Sequence, residues 1–318
     1  MNLTMRLSGW QRTTLVVLTL VSFAFLSHFI HAQMSGKTNK LEWKIVFDSA
    51  RDGHGDIYVM DPDGSNQHRL TFTKGERKES GFPAWSPDRH KIVFVSNMDE
   101  AGGDNIYIIN ADGSNLLRLT NHKNDDDEPR WSPDGAKIVF VSNRDGNQEI
   151  YVMNVDGSSV QRLTRNERAD SFPSWSPDGR KIVFGVDDGL PSEAIYVMNP
   201  DGSDRRPLGA GVGPRWSPDG KRLAFSSGRD GDPNDRHYNK ELYVMNADGS
   251  GVQRLTYNRS VDAGHVWSPD GEQIAFHSDR DAESRNWGPN LEIYVMNWDG
   301  SRTRRLTFNK VFDAHPDW

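Results

Sequence analysis

Four aspartates each stand five residues ahead of a tryptophan: Asp126, Asp170, Asp262 and Asp313. Ser80 and Gly211 hold the same place before Trp85 and Trp216. Asp127 and Glu128 follow the first aspartate, and His265 and His315 follow the last two. Brought together, such side chains suit two chemistries. Carboxylates with one or two imidazoles can ligate a hard cation such as Ca²⁺, and Asp262, His265, Asp313 and His315 are the candidate metal ligands. The same groups can act as acid and base in bond cleavage, as in a propeller-type lyase or glycosidase. A structural reading stands beside both, because an aspartate that recurs once per repeat satisfies backbone groups in a loop.

A second set suits recognition. Two stretches of 14 residues, Gly228 to Glu241 and Asp279 to Glu292, carry Arg236, His237, Tyr238, Arg285 and Trp287. Arginine, tyrosine and tryptophan dominate binding hot spots, so these five are the candidate binding residues. The comparable stretches Ala50 to Asp56 and Asn143 to Glu149 have only seven residues. Catalytic motifs are otherwise missing: the chain has no G-x-S-x-G elbow, H-E-x-x-H pair, P-loop or dinucleotide fingerprint. Without cysteine, disulfides and thiolate sites are excluded. No catalytic residue is assigned, and no cofactor is expected apart from Ca²⁺ at the Asp/His cluster.

The elements that must position these residues come from a repeat. Ile/Leu-Tyr occurs six times, at Tyr58, Tyr107, Tyr151, Tyr196, Tyr243 and Tyr294, and an Asp-Gly-Ser turn follows each. Trp-Ser-Pro-Asp occurs five times, at Trp85, Trp131, Trp175, Trp216 and Trp267, in steps of 46, 44, 41 and 51 residues. That period fits four strands per propeller blade. Strand A ends in Trp, Ser-Pro-Asp-Gly turns the chain, and strand B is an alternating Lys-Ile-Val-Phe segment. Strand C is Ile-Tyr-Val-Met-Asn, Asp-Gly makes a hairpin, and strand D is Arg-Leu-Thr. The first unit begins at strand B, Lys44 to Phe47, and the chain stops on a strand A, Asp313 to Trp318. The spacing therefore predicts an all-β, six-bladed propeller of four-stranded antiparallel blades. Its ring closes when the C-terminal strand completes the N-terminal blade.

These motifs, in this order and over residues 41–318, resemble the propeller repeats of the TolB family. The resemblance implies a periplasmic binding propeller, since TolB's propeller binds the peptidoglycan-associated lipoprotein in the Tol–Pal envelope system. The family's N-terminal α/β domain has no counterpart expected ahead of the first blade here. By strand parity, A–B and C–D turns share one face of the ring, and the more variable B–C and D–A loops share the other. An envelope protein or small ligand is expected on that variable face.

Residues 1–32 differ from the rest. Arg6 and Arg12 precede an apolar run from Thr13 to Leu26, and Ile30-His31-Ala32 follows. This reads as a signal peptide, with residues 33–40 as a short linker; the alternative is an uncleaved anchor over Thr13 to Ala32. Two of the 38 basic residues and none of the 45 acidic ones lie in it, leaving a formal charge of −9 on the remainder. So acidic a chain has no general attraction for nucleic acid or anionic lipid. A periplasmic or secreted monomer, off the membrane after cleavage, is expected. N-terminal sequencing of the exported protein should return a start at or near Gln33, whereas Met1 from a membrane fraction would favour the anchor.

Overall fold

The computed structural model describes residues 43–75, 78–99, 102–187, 193–230, 240–282 and 290–318. Residues 1–42 and most of the two 14-residue stretches lie outside them. Lys44–Trp318 forms one compact unit. Its first three strands are β1 (Ile45–Ser49), β2 (Asp56–Met60) and β3 (His68–Arg69). The second blade is β4 (Ser80–Trp85), β5 (Lys91–Ser96), β6 (Asn105–Asn110) and β7 (Leu117–Arg118). The third is β8 (Asp126–Trp131), β9 (Lys137–Ser142), β10 (Glu149–Asn154) and β11 (Gln161–Arg162). The fourth is β12 (Ala169–Trp175), β13 (Ile182–Asp187), β14 (Ala194–Met198) and β15 (Arg206–Ala210). The fifth is β16 (Val212–Trp216), β17 (Arg222–Ser227), β18 (Glu241–Asn246) and β19 (Gln253–Arg254). The sixth is β20 (Asp262–Trp267), β21 (Gln273–Ser278), β22 (Glu292–Asn297) and β23 (Arg304–Arg305). The last strand, β24 (Asp313–Asp317), pairs antiparallel with β1, so the first blade reads β24-β1-β2-β3. The six-bladed ring closes as its repeat requires.

Strand B reads as alternating in the sequence, but the structure buries both faces of strands B and C. In β1 and β2 every residue is buried, and β5 and β9 are exposed only at their first lysine. The reason is the wedge packing of blades. One core cluster joins Val46 and Ile57 of the first blade to Trp85, Ile92 and Phe94 of the second. Another joins Val139 and Val152 of the third to Ile182 and Phe184 of the fourth. A sheet covered on both faces needs near-continuous apolar strands. Each strand-B phenylalanine sits opposite the strand-C tyrosine, as in Phe47↔Tyr58 and Phe276↔Tyr294. The rings of the six pairs lie 5.6 to 6.0 Å apart. All six phenylalanines are fully buried, each contributing about 1.5–3 kcal/mol.

Strand D is only two residues long in five blades, and the Arg-Leu-Thr motif compensates. The threonine hydroxyl accepts the strand-C amide that lacks a ladder partner: Ile57 N–H to Thr71 Oγ1 at 2.9 Å, and likewise Ile150 to Thr164 and Ile293 to Thr307. The arginine pairs with the acid that opens strand C, as Arg162 does with Glu149 at 2.8 Å and Arg254 with Glu241 at 2.9 Å. Deleting Asp313 to Trp318 removes β24 and the buried Trp318 that follows it, 4 % exposed, and leaves β1 as an open edge. A thermal melt with light scattering should show aggregation or a stability loss above about 3 kcal/mol. A truncated protein that melts like the parent would disprove the shared blade.

Candidate binding site on the channel axis

The innermost strands touch in a closed cycle, β24 to β4, β8, β12, β16, β20 and back to β24. Each carries one residue of left-handed backbone at its centre: Phe82, Glu128, Phe172, Gly213, Gly264 and His315, with φ of 51°, 53°, 50°, 64°, 57° and 45°. The register to the neighbouring strand shifts at that point in all six blades. Such bulges re-aim a side chain out of the ladder. They do so here toward the axis: Phe82, Phe172, Gly213, Gly264 and His315, from five different blades, line one cavity of about 90 Å³, and Arg130 completes it from the sixth.

Phe82 stacks on His315 with ring centroids 3.9 Å apart. His315 Nδ1 lies 2.9 Å from Asp48 Oδ1, and its backbone N–H donates to His277 Nδ1 at 3.2 Å. A side chain at Gly264 would meet the His277 ring at 2.4 Å, so glycine there leaves room for that imidazole. Burial drives His265 down to about 3 and His277 well below its ordinary value, so both are neutral at physiological pH. His265 Nδ1 lies 3.3 Å from Ser226 Oγ, while its Nε2 is buried with no partner among the described residues.

The charged groups behave unlike those elsewhere in the ring. Nine blade arginines, Arg51 and Arg280 among them, form ion pairs with Asp or Glu. Arg89, Arg130 and Arg215 have no ion pair among the described residues. Arg215, 9 % exposed, donates through Nη1 to the carbonyls of Phe172, Pro173 and Pro214, each at 3.3 Å. Burial, with Arg130 nearby, lowers it to about 9. Glu128 accepts the Phe172 N–H, and burial beside Asp127 pushes its carboxyl up to about 8. At neutral pH the cavity is lined by the cations Arg130 and Arg215 and the rings of Phe82, Phe172 and His315, with Glu128 largely protonated and Asp48 held against His315. It suits an anionic or aromatic group.

The recurring aspartates do not converge there. Asp262 Oδ1 accepts from Arg280 Nη2 at 2.8 Å and Ser278 Oγ at 2.6 Å, and its Oδ2 from Asn258 at 2.7 Å. Asp313 Oδ2 accepts from Arg51 at 2.7 Å and Asn309 at 2.6 Å, and Asp126 from Arg144 at 2.7 Å. They bind the strand-B end and the B–C loop of their own sheet, and the residue two places later faces the axis. His265 and His315 do line the cavity. Among the described residues no group of three or more His, Asp or Glu side chains is arranged to hold a metal ion. Arg236, His237, Tyr238, Arg285 and Trp287 lie outside the described residues. Phe82, Phe172, Arg130 and Arg215 escaped the sequence reading. The two phenylalanines stand in the column two residues after the aspartates, which holds Phe, Glu, Phe, Gly, Gly and His, and the two arginines in the column four residues after, which holds Ala, Arg, Ser, Arg, Val and Asp; neither column keeps one residue through the repeat.

Comparison with known proteins agrees with this geometry. The family pattern described as the TolB beta propeller domain matches residues 74–212 and 207–318. The chain belongs to the TolB β-propeller family. A pattern for the dipeptidyl peptidase IV N-terminal region also matches residues 14–127. Among solved structures, TolB from Acinetobacter baumannii superposes with a TM-score of 0.71 at 22 % identity, over 92 % of this chain and 71 % of that one. A TolB-type protein from Agrobacterium tumefaciens gives 0.64 at 23 %, over 85 % and 88 %. An oligogalacturonate lyase from Vibrio parahaemolyticus gives 0.51 at 15 %, over 83 % and 72 %. At these identities the likeness is one of fold.

The axis sets the pH dependence of stability. Glu128 is raised from 4.5 to about 8, so between those values the native state holds a proton that the unfolded chain has released. Stability therefore falls as pH rises through that window. His265 is lowered from 6.5 to about 3, so below about pH 6.5 the unfolded chain takes up a proton the native state refuses, and stability falls toward acid. Glu128→Gln should flatten the alkaline decline and melt above the parent at pH 8 to 9. Parallel melting curves from pH 5 to 9 would show that Glu128 does not titrate as described.

Proposed function

We propose that this TolB-family propeller is an exported, monomeric scaffold of the cell envelope that holds a protein partner or small ligand over the axial mouth on the B–C and D–A loop face. The observation that carries the reading is the contrast within the repeat. Asp-Gly-Ser turns are built alike in all six blades, each with its Ser N–H donating to the Asp at 2.9 Å. The positions around the axis vary among blades and gather Phe82, Phe172 and His315 with Arg130 and Arg215, which have no ion pair among the described residues. Invariant turns serve a scaffold, and divergence concentrates where recognition occurs. The family resemblance and the signal-like residues 1–32 support an envelope location.

The longest loops of this face adjoin one another in the fifth and sixth blades, and their Tyr238, Trp287, Arg236 and Arg285 supply aromatic anchors and directed donors. Tyr238→Ala and Trp287→Ala should each weaken capture of the partner from envelope extract by about 2 kcal/mol or more. Their melting should stay within about 0.5 kcal/mol of the parent. Ser158→Ala and Ser203→Ala, on the opposite face, should leave capture intact. The reverse pattern would place recognition on the turn face.

A further inference from the structure

Five Ser-Pro-Asp turns reverse the chain between strands A and B. Four continue with glycine, Gly135, Gly179, Gly220 and Gly271, at φ of 69°, 68°, 69° and 70°. The fifth carries Arg89 at φ 63°, a conformation in which a residue with a Cβ is strained. The repeat has a glycine for this position and here does not use it. The guanidinium gains no protein partner in return: among the described residues it makes no hydrogen bond or ion pair, and its Nη1 is buried and unpartnered. Burial lowers its pKa against the pull of Asp317.

Arg89 lines a cavity of about 230 Å³ at the mouth of the axis opposite the variable loops, together with Arg130, Asp317, Trp85, Trp131 and Trp318. Arg130 brings a second incompletely used guanidinium: Nη1 donates to the Pro129 carbonyl at 2.9 Å, and Nε is buried without a partner. Among the described residues the one carboxylate lining the cavity, Asp317, accepts the Trp85 N–H at 2.8 Å. Two guanidiniums and one carboxylate leave a positive charge in excess. The tryptophan rings supply largely apolar walls, and Trp131 Nε1 donates to the Ala84 carbonyl at 3.2 Å. The volume exceeds the roughly 150 Å³ of a cavity that holds benzene.

We infer that this mouth binds an apolar carboxylate, a carboxylate group on a short hydrophobic body, held by Arg89 and Arg130 against Trp85, Trp131 and Trp318. A free organic acid and the terminal residue of a polypeptide share that chemistry. Calorimetric titration of the purified protein with phenylacetate and with N-acetylphenylalanine tests it and separates the two sources, with phenylacetamide as the uncharged control. At least one acid should bind, the amide should not, and Arg89→Gly and Arg130→Gln should each weaken the acid at least about tenfold, as loss of a charge-assisted hydrogen bond does. Arg89→Gly restores the residue of the repeat and should melt no lower than the parent, so its lost affinity will not be unfolding. Arg180→Gln, on an exposed turn residue of the same face, should bind as the parent does. Response to phenylacetate alone identifies a free acid, and tighter binding of N-acetylphenylalanine a chain terminus. The inference is overturned if neither acid binds, if the amide binds equally, or if Arg89→Gly leaves affinity unchanged.

Discussion

Everything in this molecule depends on each blade being covered on both faces by its neighbours. That condition can be met at every blade only if the ring closes, and closure is achieved by β24 pairing with β1, register Asp48↔Ala314 and Ser49↔Asp313. The consequences run outward through the sheets. Strands B and C must be apolar on both faces, which explains the fully buried Ile-Val-Phe and Ile-Tyr-Val-Met runs. The strand-C tyrosine can be accommodated there because its hydroxyl reaches an aspartate of the B–C loop, as Tyr107 reaches Asp99 at 2.6 Å and Tyr151 reaches Asp145 at 2.5 Å. A buried hydroxyl without such a partner would oppose folding.

The outer edge shows the same economy of means. With strand D cut to two residues, each blade would leave strand-C amides exposed or unpaired, and a bare edge invites association. The threonine hydroxyl and the arginine–acid pair close that edge with side chains in place of backbone. The acids involved, Asp56, Glu149, Glu241 and Glu292, are buried, so breaking one pair strands a charge, which costs more than the pair contributes when intact. The arginines of Arg-Leu-Thr are thus structural, in contrast with those on the axis.

How much of this was legible depended on repetition. Blade number, strand order and the closing strand all follow from motifs that recur, because identical sequence must make identical structure when every unit has the same neighbours. The axis was less legible for the opposite reason. Asp262 and Asp313 recur, and so stood out, yet recurrence marked them as parts of the frame, held by Arg280 and Arg51. Phe82 and Phe172 share one position in only two blades, as do Arg130 and Arg215, and a motif common to every unit does not include them. The bulge that turns these positions inward is a backbone feature, and at Phe82, Glu128, Phe172 and His315 no glycine announces its positive φ.

The bulge also explains how buried arginines are tolerated. In five of six blades the residue after the left-handed position is proline: Pro83, Pro129, Pro173, Pro214 and Pro316. A bulged residue leaves the ladder, and an ordinary residue there would leave its N–H without a partner. Proline has none to lose. What remains around the axis is an excess of carbonyl oxygens over amide donors, a polar surface that favours cations. Arg215 occupies it through the carbonyls of Phe172, Pro173 and Pro214, so the charge is held by backbone dipoles instead of by a carboxylate. An arginine bound in this way stays stationary while keeping its net charge unneutralised, which is the condition for attracting an anion into the channel of a protein whose overall charge is negative.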